Sequence, residues 1–242
     1  MAHGTKDYGN VSPKETTYRL DDMAELAVRL GALPSLDRLG DIIYQEDFSH
    51  GIYNWTQLLE GVGASISLDT THFKSSGFSA KLVAGSTAAK VAQIRMYFPY
   101  PVLSNFGLES CMTIGTDIES LIIGLSLSSG GTFYQGAIKI DPINDKIYYF
   151  SSAGAWVELV SSIDFYVDDY IYNNFKLVID LTNIKYKRFC YNNGVKNMSG
   201  LDLYSIFVGD PDSVVVDFAA YSKAGLNGIS YLDNIIVTQN EP

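Results

Sequence analysis

Residues 174–181 have the sequence NFKLVIDL, and this stretch decides the fold class. Apolar side chains occupy every second position of it, at Phe175, Leu177, Ile179 and Leu181. The positions between them hold Lys176, Val178 and Asp180. A repeat of two residues is typical of a β-strand with one face in a core. We therefore predict a strand here.

Similar patterns extend outward from this stretch and fill the chain from Asp41 onward. We predict further strands at 42–48, 64–69, 78–83, 91–98, 108–115, 120–127, 138–141, 146–150, 156–160, 185–191, 213–221 and 229–238. Short turns are expected at 142–145 and 151–154, and Asn193-Gly194 predicts a hairpin because both residues tolerate positive φ. Many short strands joined by tight turns predict a mainly β protein, an antiparallel two-sheet sandwich of the jelly-roll kind.

Composition limits the classes of function. The 242 residues fit one large all-β domain, and 47% hydrophobic against 18% charged residues exclude global disorder. The net charge of −10 argues against nonspecific binding to nucleic acid or to an anionic membrane surface, since both require a basic surface. We therefore expect neither nucleic acid nor membrane as a partner.

Residues 1–40 differ from the rest and are predicted to be a polar arm followed by one short helix. Asp21 or Asp22 is a natural N-cap and Gly31 a C-cap. Between them an apolar stripe recurs at helical spacing: Met23, Leu26, Ala27 and Leu30. A helix of about ten residues is not stable alone in water, so the stripe must dock on the following domain or on a neighbouring subunit. We expect residues 1–40 to serve assembly and residues 41–242 to form the sandwich.

The start of the chain lacks an apolar signal region, which favours synthesis in the cytoplasm without export. In that reducing compartment Cys111 and Cys190, both within predicted strands, are expected to be buried free thiols.

The order of the β segments resembles a known family. The β region opens with Glu46-Asp47-Phe48, then Gly51 and Trp55, and continues with GFSAKL at 77–82. It closes with YLDNIIV at 231–237. Over about residues 41–238 this resembles the concanavalin A-like, or laminin-G-like, jelly-roll superfamily and the jelly-roll carbohydrate-binding modules. The resemblance implies a lectin-like β-sandwich.

An arm, a docking helix and a lectin-like domain together look like a virion protein of a tailed bacteriophage. That resemblance implies a non-enzymatic structural protein of the capsid or tail, whose partners are itself and other virion proteins. Two alternatives stay open: a carbohydrate-binding module that recognises a host-surface glycan, and a glycoside hydrolase of the same fold.

The jelly-roll resemblance also implies a structural calcium ion between the first and last strands. Residues with suitable oxygen ligands occur at both ends of the domain: Glu46, Asp47, Asp233 and Asn234. The alternative is that these side chains cap edge strands and bind backbone groups.

Aromatic side chains near strand ends are candidates for a carbohydrate platform, because a ring face stacks on the apolar face of a sugar. The candidates are Tyr97, Tyr100, Tyr134, Trp156 and Tyr170. The alternatives are packing in the core of the sandwich and a protein interface, where Tyr and Trp are enriched.

Residues for catalysis are scarce. The three histidines, His3, His50 and His72, have no metal-ligand spacing, and no phosphate-binding glycine loop occurs. Asp117 and Glu119 would share a strand face, but the Glu-x-Asp-x-x-Glu motif of the concanavalin-like glucanases is absent. We therefore predict a protein that is not an enzyme and has no cofactor beyond the calcium ion.

Deletion of residues 1–40 tests the predicted division of the chain. The remaining domain is expected to stay folded, all-β and largely monomeric, because the apolar stripe would serve contacts between subunits. Circular dichroism and native mass spectrometry measure both properties. An unfolded truncated protein would show instead that the helix belongs to the core of the domain.

Overall fold

The computed structural model describes residues 40–74, 77–87, 90–99 and 102–242. These residues form two antiparallel sheets, with strands numbered here in chain order. The first sheet contains β1 (Asp41–Glu46), β3 (Ser65–Asp69), β4 (Ser79–Val83), β6 (Asn105–Ile114), β11 (Asp168–Asp180), β12 (Lys185–Tyr191), β13 (Gly194–Asn197) and β16 (Ile229–Gln239). The second contains β2 (Thr56–Glu60), β5 (Val91–Pro99), β7 (Ile118–Ser129), β8 (Thr132–Asp141), β9 (Lys146–Phe150), β10 (Trp156–Ser161), β14 (Tyr204–Phe207) and β15 (Ser213–Ser222).

Strand order departs widely from chain order in both sheets. Neighbours in the first sheet run β13-β12-β11-β6-β16-β4-β3, and β1 also pairs with β16. Neighbours in the second run β10-β9-β8-β7-β15-β5-β2, and β14 also pairs with β8. The described residues are therefore an antiparallel β-sandwich, which confirms the predicted fold class.

The core lies between the sheets and follows the two-residue repeat. Phe175, Leu177 and Ile179 of β11 are fully buried, as the opening stretch of sequence predicts. Val216 and Phe218 of β15 belong to the same apolar cluster from the opposite sheet. Burial of such side chains is the main force that holds the two layers together.

The sequence analysis predicted no strand at β2, β13 or β14, and one hairpin is displaced. All five residues of β2 are exposed, and β14 has only four residues, so neither shows a clear alternation. The predicted hairpin at Asn193-Gly194 turns one residue earlier, since Asn192 has the positive φ and Gly194 already pairs with Tyr191. A Cβ atom at position 194 would overlap the ring of Tyr191, and this close approach accounts for the glycine.

The predicted arm and helix, with Met23, Leu26, Ala27 and Leu30, lie outside the described residues. Within the described part of the chain, no helix has the length and apolar character needed to cross a membrane. Cys111 and Cys190 are both buried and neither forms a disulfide, as predicted.

Part of the outer face of the first sheet is covered by the segment that follows β16. The Nζ atom of Lys176, on β11, lies 2.7 Å from the Glu241 carboxylate, and both residues are 2% exposed. Arg188 lies 2.6 Å from the other oxygen of the same carboxylate. The segment after β16 thus packs back over part of this face through paired charges.

Tyr186 links the two sheets through the core. Its hydroxyl accepts a hydrogen bond from the Ala137 amide of β8 at 2.9 Å and donates one to the Phe150 carbonyl of β9 at 2.8 Å. Burial raises the pKa of this phenol well above its usual range, so the hydroxyl stays protonated and available as a donor. One side chain of the first sheet therefore satisfies two backbone groups of the second.

Replacing Tyr186 with Phe is expected to lower the free energy of unfolding by about 1–3 kcal/mol, because the Ala137 amide loses its buried acceptor. Urea denaturation measures the change. Tyr166→Phe is the matched control, since Tyr166 is about half exposed and should tolerate loss of its hydroxyl. Equal losses in the two variants would contradict a bridging role for Tyr186.

Candidate functional site

A concavity of about 690 Å³ lies on the outer face of the second sheet. Strands β5, β15, β7 and β8 contribute to it, and the loop after β14 forms one wall through Val208, Asp210 and Pro211. Two other concavities formed by described residues have about 310 and 240 Å³. The side chains that define the chemistry of the larger one are Arg95, Tyr97, Phe133, Gln135 and Asp217.

Strand register brings these side chains together from distant parts of the sequence. Asp217 on β15 lies opposite Arg95 on β5 and, on its other side, opposite Gly124 on β7. A Cβ atom on Gly124 would lie 2.8 Å from the Asp217 carboxyl carbon, so the missing side chain makes room for that carboxylate. Glycine within a strand commonly marks such a close approach.

The floor of the concavity is polar and incompletely hydrogen-bonded. Asp217 is 6% exposed, and its Oδ2 accepts a hydrogen bond from the Gln93 amide at 3.0 Å. Burial raises the pKa of the Asp217 carboxyl, while the nearby Arg95 charge and the Gln93 hydrogen bond act against the rise. Among the described residues, neither the buried Nε of Arg95 nor the buried Oγ of Ser126 has a partner. Buried polar groups normally have one, and Arg95, which lines the concavity, is therefore a candidate for contact with a ligand.

An aromatic cluster on the same face extends the site across the sheet. The Phe150 ring centroid lies 5.1 Å from that of Trp156 and 5.2 Å from that of Tyr204. Lys139 places its Nζ 4.4 Å from the centre of the Tyr148 ring. From Arg95 on β5 to Trp156 on β10 the site crosses five strand spacings, or about 24 Å.

The predicted aromatic platform is only partly assembled. Tyr97 lines the concavity and is 56% exposed, and Trp156 lies in the aromatic cluster of the same sheet. Tyr134 instead packs against the core between the sheets. Tyr170 lies on β11 of the other sheet with its ring 4.4 Å from that of His72, and Tyr100 lies outside the described residues. The four described candidates therefore do not form one surface, because strand alternation and sheet membership separate them.

The sequence analysis did not single out Arg95, Gln135 and Asp217 of the concavity, or Gln93, which binds Asp217. The sequence of β5 nevertheless contains a pattern that could have indicated part of this site. Polar Gln93, Arg95 and Tyr97 alternate there with Ile94, Met96 and Phe98, which places a polar row on one strand face. The partners of that row on β15 and β8 depend on sheet order, which the local pattern does not contain.

Strand register brings two of the four residues proposed for calcium, Glu46 and Asn234, near each other where the first and last strands pair. Glu46 of β1 lies opposite Ile235 of β16, next to Asn234 in sequence. However, the Glu46 carboxylate accepts hydrogen bonds from the Tyr44 hydroxyl at 2.6 Å, the Phe48 amide at 2.9 Å and the Trp55 indole at 3.3 Å. These contacts give Glu46 a role in anchoring the aromatic side chains at the start of the domain.

The other three candidates shape turns and strands. Asp47 Oδ1 accepts hydrogen bonds from the amide and hydroxyl of Ser49. Asp233 accepts from the Asn234 amide at 2.7 Å and from the Lys74 amide at 2.8 Å. Asn234 has a φ of 50°, and the pairing of β16 with β6 shifts register between Asp233 and Ile236, as in a β-bulge. Beyond this bulge β16 exchanges β4 for β1 as its partner.

Within the described ranges, no group of three or more His, Cys, Asp or Glu side chains is arranged to hold a metal ion. This finding does not test the predicted calcium site, because one of its four residues is an asparagine, Asn234. The calcium site remains a prediction.

The carboxylates considered for hydrolysis lie away from the concavity. Glu119 forms an ion pair with Lys90 at 2.6 Å, and the Asp117 carbonyl accepts a hydrogen bond from the Lys223 amide. Neither residue lines the concavity. Whether the protein is an enzyme therefore depends on other groups.

Comparison with known proteins identifies the fold. No family model and no curated protein matches the sequence. Among solved structures, a cellulose-induced protein, Cip1, is 16% identical with a TM-score of 0.61, and the match covers 82% of this chain and 98% of that one. An endo-β-1,4-glucuronan lyase from the fungus Trichoderma reesei is 10% identical with a TM-score of 0.53, over 82% and 95% of the two chains.

An alginate lyase from a Chlorella virus is 9% identical with a TM-score of 0.55, over 82% of this chain and all of that one. At these identities the likeness establishes a shared jelly-roll β-sandwich and nothing finer. These structures give no link to bacteriophage virions, so the virion role remains a prediction.

Replacing Glu46 with Gln separates the two roles considered for this residue. We expect the free energy of unfolding to fall by about 1–3 kcal/mol, equally with and without a chelator. Both carboxylate oxygens of Glu46 accept hydrogen bonds, whereas a glutamine side chain has only one oxygen that can do so. Thermal melts of both proteins in EDTA and in calcium measure the effect. A wild-type melting temperature that drops in EDTA and recovers with calcium, with no such response in the variant, would establish a calcium site instead.

Proposed function

We propose that this protein binds a saccharide on the outer face of the second sheet and does not catalyse its breakdown. The observation that carries the proposal is the concavity lined by Arg95, whose buried Nε has no partner among the described residues, with the exposed Tyr97 ring at its side. The site thus combines a polar group that lacks a protein partner with an aromatic surface.

Saccharides match this combination chemically. Their hydroxyl groups are both donors and acceptors, and the C–H face of a pyranose ring is apolar. Binding sites for such ligands need a few fixed polar groups for orientation and aromatic or apolar walls for contact area. Arg95 donates only, the Asp217 carboxyl and Gln135 amide contribute acceptors, and Tyr97 and Phe133 contribute rings.

Similar structures support this choice of ligand. Two of the three named above are polysaccharide lyases, and the third is a protein induced by cellulose. The absence of catalysis is proposed from the sequence, in which histidines are few and Asp117 and Glu119 lack the glucanase spacing. Acid–base catalysis needs such groups in fixed geometry with separated pKa values.

Titration calorimetry with a panel of neutral and acidic polysaccharides tests the proposal. Tyr97→Ala is expected to weaken binding about tenfold, because an aromatic contact contributes on the order of 1 kcal/mol. Tyr170→Ala is the matched control: Tyr170 is also an exposed tyrosine but lies on the other sheet, so its loss should leave the affinity unchanged.

Two results would overturn the proposal. Loss of binding in Tyr170→Ala but not in Tyr97→Ala would place the site on the first sheet instead of the second. Release of reducing ends from the bound polysaccharide would show catalysis, and its disappearance in Asp117→Ala or Glu119→Ala would promote the hydrolase alternative.

A further inference from the structure

We propose that the bound saccharide is acidic, and that its carboxylate groups are recognised by Arg95 and Lys139. This inference rests on the proposed function and specifies its ligand class. It follows from two basic side chains that share the outer face of the second sheet and form no ion pair with a described residue.

Arg95 is held in place for such a contact. It lies on β5 between Thr56 of β2 and Asp217 of β15, in the interior of the sheet. Its Nε is buried and has no partner among the described residues, although the residue lines an open concavity. A guanidinium binds a carboxylate through two parallel N–H bonds, often with Nε as one donor, and this geometry suits a carboxylate better than a hydroxyl.

Lys139 is the second basic group, on β8, three strand spacings from β5 and about 14 Å away. Its Nζ lies 4.4 Å from the Tyr148 ring centre and 5.6 Å from that of Trp156. The two rings position the ammonium group without neutralising it. A carboxylate could therefore approach Lys139 while the sugar ring that bears it lies against Trp156.

Neighbouring lysines are already paired, which makes Lys139 distinct. Lys146, on the adjacent strand β9, lies 2.7 Å from Glu158, and Lys90 lies 2.6 Å from Glu119. Their charges are compensated within the protein. Lys146 is therefore a natural control for Lys139, since both are half-buried lysines on one sheet.

Two acidic groups also line the concavity and oppose an anionic ligand. Asp217 lies under Arg95, where burial raises the pKa of its carboxyl and so favours the neutral form. Asp210 lies on the exposed loop that forms the wall, where its charge opposes an anionic ligand at short range. Removal of the Asp210 charge should strengthen binding of an acidic saccharide and leave binding of a neutral one unchanged.

The net charge of the chain opposes nonspecific binding of acidic polymers. At −10 the protein repels polyanions as a whole, so attraction to an acidic polymer requires a local site.

The experiment compares alginate, polygalacturonate and glucuronan oligosaccharides, each with its carboxyl-reduced counterpart, by titration calorimetry on the full chain. We expect at least one acidic oligosaccharide to bind at least tenfold more tightly than its reduced form. Arg95→Gln and Lys139→Gln should each reduce that preference about tenfold, whereas Lys146→Gln should not. Asp210→Asn should increase it, and circular dichroism confirms that each variant is folded.

The contrary outcomes separate the two proposals. Equal binding of acidic and reduced forms, or binding of neutral polysaccharides alone, overturns the acidic ligand and leaves saccharide binding intact. A preference for the acidic form that survives both Arg95→Gln and Lys139→Gln overturns the assigned residues. Failure of every saccharide to bind overturns the proposed function as well.

Discussion

The two-residue repeat of the β-strands is the constraint on which the rest of this protein depends. It sends alternate side chains into the space between the sheets, where Phe175 and Leu177 meet Val216 and Phe218. The remaining side chains must then lie on the outer faces. The fold therefore has two outer surfaces, one on each sheet.

Part of the outer surface of the first sheet is covered by the segment that follows β16. Lys176 is buried there although it lies at an outward position, because the segment after β16 brings the Glu241 carboxylate over it. A buried ion pair contributes little net stability by itself, but removal of either partner leaves a costly charge. The second sheet keeps its outer surface open over the concavity, where Gly124 makes space for a carboxylate next to an arginine. The missing side chain at Gly124 thus leaves room for the Asp217 carboxylate to be buried in the middle of the sheet.

Sequence patterns were enough to predict the sandwich, because alternation at positions such as 175–181 depends on burial alone. They missed β2, whose TQLLE sequence is exposed throughout and is held by pairing with β5. They also treated Asp233 and Asn234 only as ligands or caps, whereas the backbone uses them to form a bulge. The candidate site was harder still. Arg95, Gln135 and Asp217 are far apart in the chain, and they meet only because β5, β15, β7 and β8 are adjacent in the sheet.

The pairing of β1 with β16 has a consequence for the time course of folding. Asp41 and Asn240, which are 199 residues apart, are joined by a hydrogen bond of 2.8 Å, and β16 also holds β4 and β6. The entropy of closing so long a loop must be overcome before any of these contacts stabilises the chain. The middle of the first sheet is therefore completed late, and refolding is slow compared with that of a helical protein of similar size. Until β16 pairs with β6, one edge of β6 and its apolar side chains stay exposed. Self-association therefore competes with folding at high protein concentration.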